Sequence, residues 1–240
     1  MRVWITRSEP GASRTAQHLA GAGHECVVAP VVAIAAVPVA DTALGDAAQP
    51  VSDVIFLSEH AVAPGIALLQ KAGLELLDLT TFAVGPQTAA RLAEFGLRPI
   101  VPGLATSEGL LELPELAAVV GRTLVILSGE AGRQQLRQGL ERRGGSVLQL
   151  ALYRRVQIPV HDVRPAIRPK AIDAIAVSSG DGFRWAAQVW SAAQGRPQVP
   201  VLTPSQRVSN LAPELGFSRA YTCQGAGADA LLAGLARVAG

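Results

Sequence analysis

The chain has 240 residues, enough for one large domain or two of ordinary size, with 49% hydrophobic and 17% charged residues. That composition builds a packed core, and aromatics at only 4% argue against a stacking surface for single-stranded nucleic acid. The net charge of +2 hides an asymmetry: residues 1–120 carry 6 Lys/Arg and 12 Asp/Glu, net −6, while residues 121–240 carry 15 and 7, net +8, with no block of like charge that would form a nucleic-acid arm.

The opening MRVWITR reads as a strand rather than a cleavable leader. No apolar run approaches the roughly 18 residues that a spanning helix needs, so no membrane partner is expected and the cytoplasm is the default location. Arg2 to Thr6 forms the first strand, and a helix closes on Gly23. Asp53 to Ser58 is a further strand, and Gly85-Pro86-Gln87-Thr88 opens a helix that closes on Gly96. Arg122 to Arg155 reads as strand, glycine-punctuated turn, amphipathic helix and second strand. Ser128-Gly129-Glu130 is expected to open that helix, with Leu136 and Leu140 inside and Arg133, Arg137, Arg142 and Arg143 outside, before Gly144-Gly145 stops it. Asp173 to Ser178, Thr203-Pro204-Ser205-Gln206 and a closing helix through Leu231 complete the chain. Cys26 and Cys223 are too few and too isolated for a disulfide framework, and each sits in an apolar run as a small buried hydrophobe.

An offset of about 120 residues recurs along this pattern. Arg2–Thr6 matches Arg122–Ile126, and Gly23 matches Gly144. The D-x-I-x-x-S of Asp53 to Ser58 matches that of Asp173 to Ser178; Gly85 to Thr88 matches Thr203 to Gln206; and Ser107 to Leu111 matches Ala228 to Leu232. Five matches in one order indicate duplication. Short apolar strands alternating with helices of ten to fifteen residues call for parallel sheets covered on both faces, so the expected fold is α/β with two doubly wound sheets. The segments 32–50 and 156–169, with Pro38, Pro50, Pro159, Pro165 and Pro169, are candidate hinges. The pattern permits each domain to be a continuous half or the halves to exchange parts.

In an open parallel sheet a ligand lies beyond the carboxyl ends of the strands. The residues expected there are Arg7, Ser8, Ser58, Gln87, Thr88, Ser107, Ser128, Gly129, Ser178, Ser179, Ser205 and Gln206. Serine, threonine and glycine are also ordinary helix caps, so each position alone has a plain structural reading. Two domains of such positions suit a ligand with several carboxylates or phosphates, because helix starts leave backbone N–H groups unpaired. The chain has no P-loop, no G-x-G-x-x-G opening a helix, no G-x-S-x-G and no H-E-x-x-H. His18, His24, His60 and His161 have no ligand spacing, and no metal or nucleotide is expected. Tyr153 reads either as an aromatic packing a strand end or as a proton donor, since a phenol keeps its proton at neutral pH.

Six motifs in order resemble the uroporphyrinogen-III synthase family over the whole chain. They are V-x-I-T-R-S (Val3 to Ser8), L-S-E-H-A-V (Leu57 to Val62), A-V-G-P-Q-T-A (Ala83 to Ala89), S-E-G-L-L-E-L-P-E-L (Ser107 to Leu116), L-S-G-E-A-G-R-Q-Q-L (Leu127 to Leu136, with R-G-G-S-V and Y-R-R behind it) and L-L-A-G-L (Leu231 to Leu235). The resemblance implies two flavodoxin-like domains, the first discontinuous: residues 1–33 with 165–240, then 41–152, joined by hinge strands at 34–40 and 153–164. It implies a monomer without a cofactor, whose substrate is hydroxymethylbilane, a linear tetrapyrrole with eight carboxylates. It also makes Tyr153, at the family's Y-R-R position, the catalytic donor to the leaving hydroxyl. Ser128 departs from the L-R-G that many bacterial members carry, which shifts a cationic contact to Arg133 or Arg7. A hinged, non-catalytic receptor for a polyanion is the competing reading, and a sugar-phosphate isomerase is a third.

Overall fold

A computed structural model of the chain describes residues 1–40, 42–45, 50–130, 132 and 134–239; Arg133 and parts of the 32–50 segment lie outside the described residues. In chain order the elements are β1 (Arg2–Ile5), α1 (Gly11–Gly21), β2 (Glu25–Val28), β3 (Val32–Ala36), β4 (Val51–Phe56), α2 (Val62–Lys71), β5 (Thr80–Ala83), α3 (Pro86–Ala93), α4 (Ser107–Leu111), β6 (Thr123–Gly129), α5 (Gln135–Arg142), β7 (Ser146–Gln157), α6 (Val160–Val163), β8 (Ala174–Ala176), α7 (Gly180–Ala192), β9 (Val201–Thr203), α8 (Gln206–Ser209), β10 (Ala220–Thr222) and α9 (Ala228–Ala239). They divide into two compact units, the first made of Met1–Ala33 with Val156–Gly240 and the second of Ile34–Arg155.

The first unit holds a five-stranded sheet in the order β10-β9-β8-β1-β2, with parallel pairing throughout. Its two faces are both covered, as a parallel sheet requires. Trp4, Ile175 and Val201 point to a core shared with α7, where Trp4 stacks on Trp190 at 6.2 Å between ring centroids and donates its indole N–H to the Ala29 carbonyl. Their neighbours Val3, Ile5, Ala174 and Leu202 point the other way, to Leu19 of α1 and Leu231 and Leu235 of α9. This period-2 split of one strand between two cores is what a short run of alternating large apolar residues dictates.

The second unit's sheet has the order β3-β7-β6-β4-β5, with β7, β6, β4 and β5 parallel to their neighbours. Val54, Phe56, Val125 and Leu127 pack toward α2, and Ile55, Leu124 and Ile126 toward Leu136 and Leu140 of α5. Read outward from the crossover, β7-β6-β4-β5 repeats β2-β1-β8-β9. The place of β10 is taken by a single bridge between Phe82 and Ile100. The first unit therefore has the 2-1-3-4-5 flavodoxin-like order, and the second sets its sequence-matched strands in the same places but in a circularly permuted chain order, β4 and β5 preceding β6 and β7. The matched glycines behave alike too: Gly23 and Gly144 both have φ of 83°, and Gly96 and Gly216 have 78° and 81°, the left-handed geometry that ends a helix without steric cost only at glycine.

Three expectations need correction. The helix expected to open at Ser128-Gly129-Glu130 begins only at Gln135, because β6 continues through Ser128 and Gly129, which pair with Ala151 and Tyr153. In the first half the last strand–helix unit shrinks to the Ile100 bridge and a five-residue α4, which stops at Glu112, ahead of Pro114. Helices of ten to fifteen residues hold for α1, α2, α7 and α9 but not for α3, α5 or α8.

Candidate functional site

In the second unit the crossover lies between β6 and β4, and several expected residues gather at its carboxyl edge. Beyond the end of β4, Ser58 is extended (φ −169°, ψ 147°) and caps a short turn, Glu59–Ala61, by accepting the His60 N–H at 3.2 Å. The Leu57 N–H reaches the Leu127 carbonyl at 3.0 Å, which ties this turn to β6. At the end of β6, Gly129 lies opposite Tyr153 of β7, and the Glu130 N–H donates to the Tyr153 carbonyl at 2.8 Å. Tyr153 is only 6% exposed. Its ring meets His60 edge-on, with centroids 5.4 Å apart and planes at 68°. Among the described residues its hydroxyl meets no hydrogen-bond partner, and the oxygen is not one of the fully buried unpartnered side-chain atoms, so it keeps some contact with solvent.

The sheet edge also explains two glycines. A Cβ on Gly129 would lie 2.8 Å from Tyr153 Cζ and 3.1 Å from its Oη, and one on Gly85 would lie 2.8 Å from the Ala105 Cβ. Gly85 is the extended residue before α3, with Pro86 at the first helical position. Gln87 is exposed in that first turn, whereas Thr88 is buried at 4%. Ser107 stands within the first turn of α4, and the residue that caps α4 is its neighbour Thr106, whose hydroxyl accepts the Gly109 N–H at 3.0 Å. Ser128 is 2% exposed; its hydroxyl donates to the Gly129 carbonyl and accepts from Gln149 Nε2 at 3.4 Å. It lines the interior rather than a helix start.

In the first unit the crossover lies between β1 and β8. The Thr6 hydroxyl closes on the Ala176 carbonyl at 2.8 Å. Arg7 folds back over Gly11 and donates to the Ala226 carbonyl at 3.2 Å, joining the start of α1 to the loop before α9. Ser8 is half-buried, and its carbonyl accepts the Ala12 N–H. Ser179 caps α7 by accepting the Gly182 N–H at 3.1 Å, while Ser178 beside it makes no side-chain hydrogen bond among the described residues. Ser205 precedes α8 in extended geometry with no side-chain cap bond. Gln206 is committed to a local chain: its carbonyl accepts from Thr222, its amide donates to Asn210, and Thr222 continues through Ser209 to buried Thr203. In the second-half counterpart of the G-P-Q-T turn, Thr203 and Gln206 thus satisfy their polar groups internally while Ser205 does not.

The expected donors therefore fall into two sets. Ser58, Ser179, Gln206 and Arg7 are engaged in holding local turns and loops, and Ser128 is engaged within the strand interior. Gln87, Thr88, Ser107, Ser178 and Ser205 make no side-chain hydrogen bond among the described residues. Gln149, which contacts Ser128 and carries a buried, unpartnered Oε1, was not singled out from sequence; a lone glutamine in an apolar strand was the only signal. No group of three or more His, Cys, Asp or Glu side chains that could hold a metal ion gathers among the described residues.

The comparisons with known proteins bear on this arrangement. The family model for uroporphyrinogen-III synthase HemD matches residues 13–233. The chain belongs to the uroporphyrinogen-III synthase family. It is 30% identical over 249 residues to a uroporphyrinogen-III synthase of Salmonella typhimurium, covering 98% of this chain and 100% of the relative. A uroporphyrinogen-III synthase of Escherichia coli is 33% identical over 199 residues, 77% of this chain and 78% of the relative. Among solved structures, the Helicobacter pylori uroporphyrinogen-III synthetase aligns over 100% of this chain and 99% of its own with a TM-score of 0.61 at 16% identity. A mutant synthase from Thermus thermophilus covers 100% and 98% with a TM-score of 0.57 at 22% identity. These two likenesses establish a shared α/β fold with parallel sheets.

Proposed function

We propose that this chain cyclises hydroxymethylbilane, expelling water and inverting ring D to give uroporphyrinogen III in tetrapyrrole biosynthesis, which makes it a cyclising lyase. Beyond membership of the synthase family, the observation that carries this reading is Tyr153: a buried phenol at the carboxyl edge of the crossover, with a hydroxyl that has no partner among the described residues. A proton donor waiting for a leaving group has that character.

The phenol protonates the terminal hydroxyl of the bilane as its C–O bond breaks, so that water leaves and the electron pair of the adjacent pyrrole nitrogen delocalises the resulting cation. Unaided, the cation closes on the free end of the chain. Inversion requires attack through the already substituted carbon of ring D by way of a spiro intermediate, so the protein must fold the substrate as well as activate it. Holding reacting atoms in that geometry can supply several kcal/mol, within the roughly 7–11 kcal/mol that proximity offers at its limit. Within each unit, considered by itself, uncommitted side chains stand near the strand ends: Gln87 and Ser107 in the second, Ser178 and Ser205 in the first. With the backbone N–H groups of the nearby helix starts they suit carboxylates, each such helix end contributing about 0.3–1 kcal/mol.

This chemistry is acid–base and conformational and draws on no cofactor. We propose further that the protein works as a monomer in the cytoplasm; among the described residues no helix is long and apolar enough to cross a membrane. Incubation with hydroxymethylbilane and separation of the product isomers tests the reading. Isomer III supports it, while isomer I alone, at the spontaneous rate, is the product expected of a receptor that merely binds the bilane.

A further inference from the structure

We propose that His60 is a positioning residue for Tyr153: its imidazole fixes the rotation of the phenol ring, and through the ring the place of the proton that the leaving hydroxyl receives. This inference rests on the assignment of Tyr153 as the donor and adds a residue to it.

The two side chains reach each other from different parts of the chain, and each stands on a rigid support. His60 belongs to the one-turn Glu59–Ala61 segment, where its N–H is held by the Ser58 hydroxyl and the Ala61 N–H by the Ser58 carbonyl at 3.0 Å. The next two residues, Ala61 and Val62, are fully buried, so the turn is anchored in the core rather than on a loose loop. Tyr153 is held by the β6–β7 ladder on its backbone. A strand residue of this kind has its first side-chain torsion set by packing, but rotation about the bond to the ring is broad and nearly two-fold. Two contacts restrict that rotation. Gly129 brings bare backbone against the hydroxyl end of the ring, and His60 meets the ring edge-on at 5.4 Å and 68°, a geometry that aromatic rings favour over a sandwich. No hydrogen bond joins the imidazole to the phenol hydroxyl, so the contact orients the donor and leaves its proton available. Rotation about the bond to the ring keeps the hydroxyl oxygen on its axis and swings only the proton, which prefers the ring plane, so loss of the contact is felt in turnover more than in binding.

The test compares His60→Ala with His60→Phe, which keeps an aromatic edge, each alone and combined with Tyr153→Phe, using hydroxymethylbilane and the intact chain. The expected result is a fall in kcat of roughly ten-fold for His60→Ala with KM within about two-fold, recovery of most of that loss in His60→Phe, and no further loss when His60→Ala is added to Tyr153→Phe. The proposal is overturned if His60→Phe is as slow as His60→Ala, if the two losses multiply in the double variant, or if His60→Ala turns over like the wild type. A second reading needs no catalysis. Only two tyrosines occur, Tyr153 and Tyr221, so ring-labelled tyrosine gives two assignable sets of NMR signals. Slow ring flipping of Tyr153 in the wild type and in His60→Phe, with fast flipping in His60→Ala, supports the clamp; identical flipping in all three overturns it. If the clamp is seen while Tyr153→Phe keeps full activity, the donor assignment has failed and the positioning role falls with it.

Discussion

Gly129 and Tyr153 face each other across the β6–β7 ladder with no room between them for even a methyl group. A Cβ at position 129 would stand 2.8 Å from Cζ, 2.9 Å from Cε2 and 3.1 Å from Oη of the tyrosine. The obstacle is a packed ring on a strand, so relief requires the phenol to tilt. Gly129→Ala is expected to destabilise the fold by about 1–3 kcal/mol, the usual cost of overpacking, and to lower kcat by at least ten-fold because the displaced atoms include the hydroxyl. Denaturant melts and initial rates of isomer III formation measure the two effects separately. A variant with lowered stability and unchanged kcat would mean that the ring's position does not matter to the reaction.

Tyr153→Phe removes only the hydroxyl. Since that group meets no partner among the described residues, its loss leaves no hydrogen bond broken, and stability should change by no more than about 0.5 kcal/mol. Turnover should fall by about 10²–10⁴-fold, the usual worth of a positioned general acid, without vanishing. An unchanged rate would remove Tyr153 from the mechanism, whatever the melting curve does.

Those two positions show what was legible in the sequence. The strands were, because Val125, Leu127 and their alternating neighbours serve two opposite cores, and the order of elements was, because the offset of about 120 residues pairs β1 with β6 and β4 with β8. The helix starts were less so. A serine followed by glycine reads as a cap, but at Ser128-Gly129 the ladder with Ala151 and Tyr153 outcompetes the turn, and the hydroxyl ends inside the protein. Thr106 and Ser107 are both plausible caps, and only backbone geometry chooses Thr106. The edge-on meeting of His60 with Tyr153 has no local signature, since the two residues lie far apart in sequence and on different elements.

The cysteines offer a check on packing. Cys223 is 2% exposed, with the start of Gly234's side-chain space only 2.6 Å from its sulfur, and burial pushes its thiol pKa up despite the nearby Arg237. Burial also raises that of the half-buried Cys26. Both thiols therefore remain protonated and slow toward disulfide reagents at pH 7 to 8, since the thiolate is the reactive form. Labelling of the native protein should engage Cys26 first and reach Cys223 only on unfolding. Equal, rapid labelling of both would contradict the packing of α9 against β10.

The duplication supplies its own control for the energetics of a buried charge. In the second unit Arg122 opens onto Asp53: its Nε donates to Oδ2 at 2.9 Å, its terminal nitrogen pairs with Oδ1, and it also reaches the Glu115 carbonyl. The Asp53 side chain is 1% exposed and that of Arg122 28%. The matched pair in the first unit is Arg2 and Asp173, where the carboxylate instead accepts the Arg2 backbone N–H at 2.7 Å and the guanidinium lies 3.8 Å from exposed Glu25. Removing Arg122 leaves a buried carboxylate with only the Ser52 hydroxyl, at 2.6 Å, and no opposite charge, whereas removing Arg2 leaves Asp173 with its backbone donor and with water. Arg122→Met should therefore cost about 3 kcal/mol, at the lower end of the range for a broken buried pair because the arginine is partly exposed, and Arg2→Met no more than about 0.5 kcal/mol. Asp53→Asn with Arg122→Met should recover part of the loss, because the uncompensated charge is gone. Equal costs at the two arginines in urea melts would show that the burial of Asp53, rather than its ion pair, is what the second unit tolerates.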